Sequence, residues 1–106
     1  MSQDKIERFA ALVEGDPNNP LHTFALAQAH LEVEDYAAAE TAYARCLELN
    51  PGWMMAWIRR GRCLIELKRF DEARELLDKG AELATAQGHD EPFAEIGLLL
   101  EELPDD

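Results

Sequence analysis

Apolar side chains recur at steps of three and four along most of this chain, and prolines and glycines interrupt them at even intervals. Residues three and four apart share one face of a helix, so the pattern predicts amphipathic helices. Residues 4–14 carry Ile6, Phe9, Ala10 and Val13 in this way, with Ser2 or Asp4 able to cap the first turn. A second helix is predicted over 20–33 (Phe24, Leu26, Ala27, His30, Leu31), with Pro20 in its first turn. A third follows over 36–49 (Tyr36, Ala39, Tyr43, Cys46, Leu47), capped by Asp35. The fourth, over 53–67, carries Trp57, Ile58, Gly61, Leu64 and Ile65, and the fifth, over 70–86, carries Phe70, Ala73, Leu76, Leu77 and Gly80. The sixth, over 91–103, shows the stripe Phe93, Ile96, Gly97, Leu100 and Leu103, with Asp90 as its cap. Gly15-Asp16-Pro17, Asn50-Pro51-Gly52, Gly88 to Pro92 and Pro104 supply the stops.

Composition agrees with an all-α chain. Ala, Leu and Glu number 16, 15 and 14, whereas Val, Ile and Thr together number 9, so strong helix formers outweigh strand formers. The 106 residues suit one domain with a modest core, expected over the whole of 1–106. With 22 acidic and 10 basic residues the net charge is −12, yet the apolar share lies above the disorder range. Such a charge repels phosphate backbones and anionic bilayers, so no nucleic-acid or membrane partner is expected. No window approaches 18 uninterrupted apolar residues, and Met1-Ser2-Gln3-Asp4-Lys5 lacks the layout of a secretory signal, so the expected location is cytoplasmic. Cys46 and Cys63 fall within helical patterns without CxxC spacing, as buried reduced thiols do.

Shifting the chain by 34 residues superimposes these helices pairwise. Pro17 falls on Pro51, Ala27 on Gly61, Leu31 on Ile65, Val33 on Leu67, Tyr36 on Phe70, Ala39 on Ala73, Glu40 on Arg74, Tyr43 on Leu77 and Leu49 on Leu83. Two helices per period indicate stacked helical hairpins, none of which buries its apolar face alone. In the unit 20–53, Leu26-Ala27, His30, Ala39, Tyr43, Cys46 and Pro51 stand at the spacings of the pattern W-x2-L-G-x2-Y, A-x3-F, A-x4-P; in the unit 54–87, Trp57, Gly61, Leu64, Ala73, Leu77 and Gly80 do. On these residues the chain resembles the tetratricopeptide repeat family, and small stand-alone bacterial proteins of that kind. The resemblance implies antiparallel hairpins stacked as a short right-handed superhelix of about six helices. Residues 4–15 (Phe9, Leu12) read as a half repeat before the two full units, and 90–103 (Phe93, Ile96, Gly97, Leu100) as a closing half repeat whose frame is displaced by two residues. The departures are Arg60 in place of a leucine, His30 in place of a tyrosine and Thr85 in place of the closing proline.

Catalysis needs a nucleophile beside a base, or a carboxylate in a pocket, and no such motif occurs. His22, His30 and His89 are scattered, with no HExxH, no phosphate loop and no GxSxG; His30, on an apolar stripe, reads as a hydrogen-bonded structural residue. The expectation is a non-enzymatic chain without cofactor or metal. The family resemblance implies a protein-interaction module or adaptor that binds a segment of a partner on a concave face lined by the first helix of each pair. Carried over residue by residue, that face is Leu21, Phe24, Gln28, Leu31 and Glu32, then Met55, Ile58, Arg59, Arg62, Ile65 and Glu66. The terminal helices could instead close this groove. The Lys and Asn clamp with which some relatives hold chaperone tails is absent, since Phe24, Gln28, Ile58 and Arg62 occupy its places.

Residues 54–69 hold five basic residues, Arg59, Arg60, Arg62, Lys68 and Arg69, against Glu66 alone, a local +4, leaving −16 on the rest. Either these arginines pair with acids of the helices 36–49 and 70–82, or Arg59 and Arg62 form a bidentate site for a partner carboxylate. Trp53 and Met54 at the repeat junction, with Leu98 opposite the stripe of the last helix, make a second candidate surface. It would serve a homodimer, the alternative reading in which the chain is a self-association unit without a peptide ligand. A small acidic chaperone is the third.

Overall fold

The computed structural model describes residues 2–104 and, of Ser2, the backbone alone, so a capping role for the Ser2 side chain lies outside the described residues. Six helices follow one another: α1 (Ser2–Gly15), α2 (Pro20–Glu32), α3 (Tyr36–Leu49), α4 (Met54–Glu66), α5 (Phe70–Gln87) and α6 (Asp90–Glu101). No strand occurs among the described residues. Each predicted helical segment is a helix, and the starts obey local chemistry. Asn19 caps α2 by accepting from the Leu21 N–H at 3.0 Å, with Pro20 in its first turn. Asp35 caps α3 through the Ala38 N–H at 3.2 Å.

Other boundaries differ from expectation. Asp90 does not cap α6 but is its first helical residue, beside Glu91, where carboxylates oppose the positive end of the helix dipole. Trp53 and His89 hold the cap positions of α4 and α6, neither with a side-chain cap bond. At Thr85, the missing proline lets α5 continue to Gln87; Gly88, at φ 72°, ends it in the left-handed region that glycine adopts without steric cost.

The turns repeat as faithfully as the helices. After α2, the N–H groups of Glu34 and Asp35 reach Leu31 O and His30 O at 2.9 and 3.0 Å; after α4, those of Lys68 and Arg69 reach Ile65 O and Leu64 O, both at 2.9 Å. Each donor and acceptor of the second set lies 34 residues beyond its counterpart. The motif needs a left-handed residue, and here Glu34 (φ 60°) and Lys68 (φ 61°) adopt it with a Cβ present. Glu34→Gly and Lys68→Gly are each expected to raise stability by about 0.5–1 kcal/mol, the strain relieved exceeding the added chain entropy. Thermal melts check this; lower melting temperatures for both would refute it.

Neighbouring helices pack in order, and α4 also meets α6. One core, between α2, α3 and α4, is built on small residues (Ala27, Ala39, Ala42, Ala56, Cys46, Cys63) around Tyr43. The other joins α4, α5 and α6 through Ile58, Leu64, Leu76, Leu77, Ile96 and Leu99. Trp57 packs against both and donates its Nε1–H to Pro51 O at 2.7 Å. Two expectations of burial and exposure are reversed. Phe93 is 51% exposed, because α6 turns Ile96, Leu99 and Leu103 inward. Met54, a candidate surface anchor, is 8% exposed and belongs to the core of α4–α6.

Candidate functional site

The first helices of successive hairpins, α2, α4 and α6, bring their N-terminal ends together around one open cleft of about 530 Å³. Pro20 and Leu21 line it from α2, Trp53, Met54 and Met55 from the start of α4, and His89 and Pro92 from the start of α6. Trp53 is half-buried there, stacked on Phe24 with ring centroids 4.3 Å apart. Farther along, α4 and α6 enclose two more clefts. Met55, Ile58, Glu91, Pro92, Ala94, Glu95 and Leu98 line one; Ile58, Arg59, Arg62, Glu95, Leu98, Leu99 and Glu102 line the other. Shared residues make the three continuous, with Met55 linking the first to the second and Ile58, Glu95 and Leu98 the second to the third.

Of the predicted concave-face residues, Leu21 (66% exposed) and Met55 stand at the rim, while Ile58 is buried as the floor. Arg59 and Arg62 line the far cleft. Phe24 reaches the face through its stack with Trp53 and its edge contact with Tyr43, centroids 5.6 Å apart. Gln28, Leu31 and Ile65 are half-buried and line none of these clefts; Leu31 and Ile65 pack against the cores. Leu98, assigned above to a second surface, is 64% exposed and belongs to the same face as Met55 and Ile58. Helix α6 therefore forms one wall of the groove. Its wall residues were legible in principle: with the frame displaced by two, a shift of 36 (34 + 2) carries Met55, Ile58, Arg59 and Arg62 onto Glu91, Ala94, Glu95 and Leu98.

The basic cluster is largely neutralised within the chain. Arg60 Nε donates to Glu40 Oε1 at 2.9 Å, and Arg69 adds a contact to Glu40 at 3.6 Å and a two-pronged pair with Glu72 at 2.9 and 2.6 Å. That pair holds the Glu72 carboxyl below its usual range and lifts Arg69 further. Arg62 grips Glu102 of the α6 C-cap with both terminal nitrogens, at 2.9 and 3.1 Å, so it is engaged where a partner carboxylate was expected.

Arg59 differs. No carboxylate among the described residues lies within 4.0 Å of its charged group, which stands 5.7 Å from the Phe24 ring centroid. It also approaches the Tyr43 hydroxyl, which no hydrogen bond of good geometry reaches; burial pushes this phenol up to about 12, the guanidinium offsetting part of the rise.

Nothing in these clefts combines a nucleophile with a base. Cys46 and Cys63 are buried and free, and burial pushes their thiols up to about 11 and about 12, which keeps them protonated at neutral pH. His30 does not make the expected hydrogen bond, since its buried Nδ1 has no partner. No cluster of three His, Cys, Asp or Glu able to hold a metal ion occurs among the described residues, and no helix is long and apolar enough to cross a membrane.

Comparison with known proteins accords with this geometry. A stretch of 45 residues is 44% identical to the PsbB mRNA maturation factor Mbb1, chloroplastic, of Chlamydomonas reinhardtii; it covers 42% of this chain and only 7% of that far longer protein. The solved structure of PcrH in complex with the chaperone binding region of PopD superimposes with a TM-score of 0.85 at 22% identity, over 94% of this chain and 76% of that one. The second repeat domain of human RPAP3, in complex with the HSP70 peptide SGPTIEEVD, gives 0.75 at 23%, over 89% and 77%. The known family that matches does so twice, over residues 6–52 and 24–88. Together with turn hydrogen bonds that recur every 34 residues, that match shows that the chain belongs to the tetratricopeptide repeat family.

Proposed function

We propose that this chain is a non-enzymatic interaction module that holds a segment of a partner protein on the face shared by α2, α4 and α6. The observation that carries the reading is the continuous groove floored by Ile58 and rimmed by exposed Leu21, Met55 and Leu98. Covering such a surface contributes about 25 cal/mol per Å² of apolar area removed from water. A partner carboxylate would be received by Arg59, which among the described residues has no carboxylate within 4.0 Å, rather than by Arg62, which Glu102 holds. PcrH and RPAP3, with the same fold, are each seen bound to a segment of another protein, which supports the assignment.

Affinity capture from lysate of the source cells, read by mass spectrometry, tests it. Partners recovered with the intact chain should be lost with Met55→Glu/Leu98→Glu, weakened with Arg59→Glu and kept with Glu7→Gln on the far α1. An unchanged partner set in the groove variants removes the proposal. Exposure of Phe93 and Leu98 on α6 favours self-association as a second reading. Light scattering over a dilution series decides that: a stable dimer broken by Leu98→Glu would replace the peptide-binding reading, and a strict monomer would leave it standing.

A further inference from the structure

If partners lie on this groove, as proposed above, the asymmetry of its two walls specifies their chemistry. Over the Ile58 floor, α4 contributes Met55 and Arg59, whereas α6 contributes Glu91, Glu95 and Leu98. Helix α6 carries no Lys or Arg, and Glu102 just beyond it is consumed by Arg62, a bridge that straps the far end of α6 to α4. Glu91 and Glu95 are exposed, and among the described residues no Lys, Arg or His nitrogen lies within 4.0 Å of either carboxylate. Standing one helical turn apart, they present two like charges to the same cleft, an arrangement that an incoming cation relieves. The net charge of the whole chain, −12, extends the same attraction outward.

We infer that the α4–α6 cleft takes an amphipathic segment of a partner protein whose apolar side chain seats on Ile58 between Met55 and Leu98, and whose Lys or Arg side chains meet Glu91 and Glu95. A segment with acids at those places is repelled, and a neutral one covers two carboxylates without pairing them. Because Arg59 and Glu95 line the same cleft from opposite walls, a cation toward α6 and a carboxylate toward α4 also fix which way round the segment lies.

The test is selection of a random-peptide display library on the intact chain, followed by fluorescence-anisotropy titration of the recovered peptides made synthetically. The peptides should pair an apolar residue with Lys or Arg, and Leu98→Asp should abolish their binding. Glu91→Gln/Glu95→Gln should weaken it about tenfold, the product of two exposed ion pairs, with the loss shrinking as salt rises. The control Glu7→Gln/Glu14→Gln removes the same charge from α1 and should change affinity less than about twofold, since those carboxylates lie outside the cleft. Equal weakening by both double variants would mean diffuse attraction to an acidic surface and would overturn the inference. Recovery of neutral or acidic peptides that still depend on Leu98 would overturn it while sparing the groove as a binding site. If no peptide is recovered, or if the recovered ones ignore both Leu98→Asp and Met55→Asp, the groove reading falls with it.

Discussion

Gly61→Val is expected to destabilise the protein by about 3 kcal/mol, a fall in melting temperature of roughly 12–24 °C. A Cβ at position 61 would collide with Leu77 Cδ2 and stand 2.9 Å from Leu77 Cγ, and Leu77 is fully buried. Either Leu77 leaves its rotamer or α4 and α5 separate, and both expose or strain a close-packed core. Gly97 is its counterpart on α6 at the shift of 36, and a Cβ there meets nothing within 4 Å. Gly97→Ala should therefore stabilise by about 0.5–1 kcal/mol, through helix propensity alone. Gly80→Ala lies between them, since its Cβ meets Ile96 Cδ1 at 3.2 Å and Trp57 Cβ at 3.5 Å. Calorimetric melts should place Gly80→Ala between Gly97→Ala, the most stable, and Gly61→Val, the least. Truncating the obstacle, as in Gly61→Val/Leu77→Ala, should cost less than the two single changes added together. A Gly61 variant as benign as its Gly97 counterpart would show that α4 and α5 do not approach as described.

The second large effect centres on Glu40. Its side chain is only 9% exposed, yet it is ionisable and lies on α3, where Arg60 of α4 closes on it at 2.9 Å and Arg69, at the N-cap of α5, at 3.6 Å. Glu40→Leu should cost about 2–4 kcal/mol, because it leaves the partly buried Arg60 guanidinium without its counter-ion, whereas the more exposed Arg69 keeps Glu72. Arg60 retains some exposure and can lean toward water, which keeps the loss below that of a fully enclosed pair. Replacing both, as Glu40→Leu/Arg60→Leu, should recover most of the stability, since matched apolar side chains stand in for a buried pair at little cost. By contrast, Glu32→Ala breaks only the exposed pair with Lys5 and should cost about 0–1 kcal/mol. Urea denaturation midpoints measure all three. A double variant no more stable than Glu40→Leu alone would sink the argument.

That network is the part of the fold least visible along the chain. The 34-residue period and the Pro, Gly, Asn and Asp punctuation place all six helices, because those signals are local and each has one physical meaning. Arg60 stood out as a departure from the family pattern, but nothing along the chain marked Glu40 as its complement. Pairing of the arginines of 54–69 with acids of the helices 36–49 and 70–82 takes in Glu40 and Glu72, but among 22 acids nothing local separates the buried Glu40 from its solvated neighbours. Burial of a charge is a property of three helices meeting, not of a position in one. The misplacements of Phe93 and Met54 share an origin: near the start of a helix, one residue of register rotates a side chain by about 100°, enough to exchange core and surface. Leu98 lines the α4–α6 cleft beside Met55 and Ile58, a neighbourhood that follows only when the repeat frame is carried across the longer last linker.

The stack of Trp53 on Phe24 has an optical consequence. Of the two indoles in the chain, Trp57 is fastened to Pro51 and wedged between the two cores, whereas Trp53 looks into the cleft where α2, α4 and α6 begin. Indole emission follows the polarity around the ring, so the two fluorophores divide the work: one reports whether the hairpins are assembled, the other whether the groove is filled. Filling of the groove as proposed would then be read from Trp53, with no label to disturb the surface being measured.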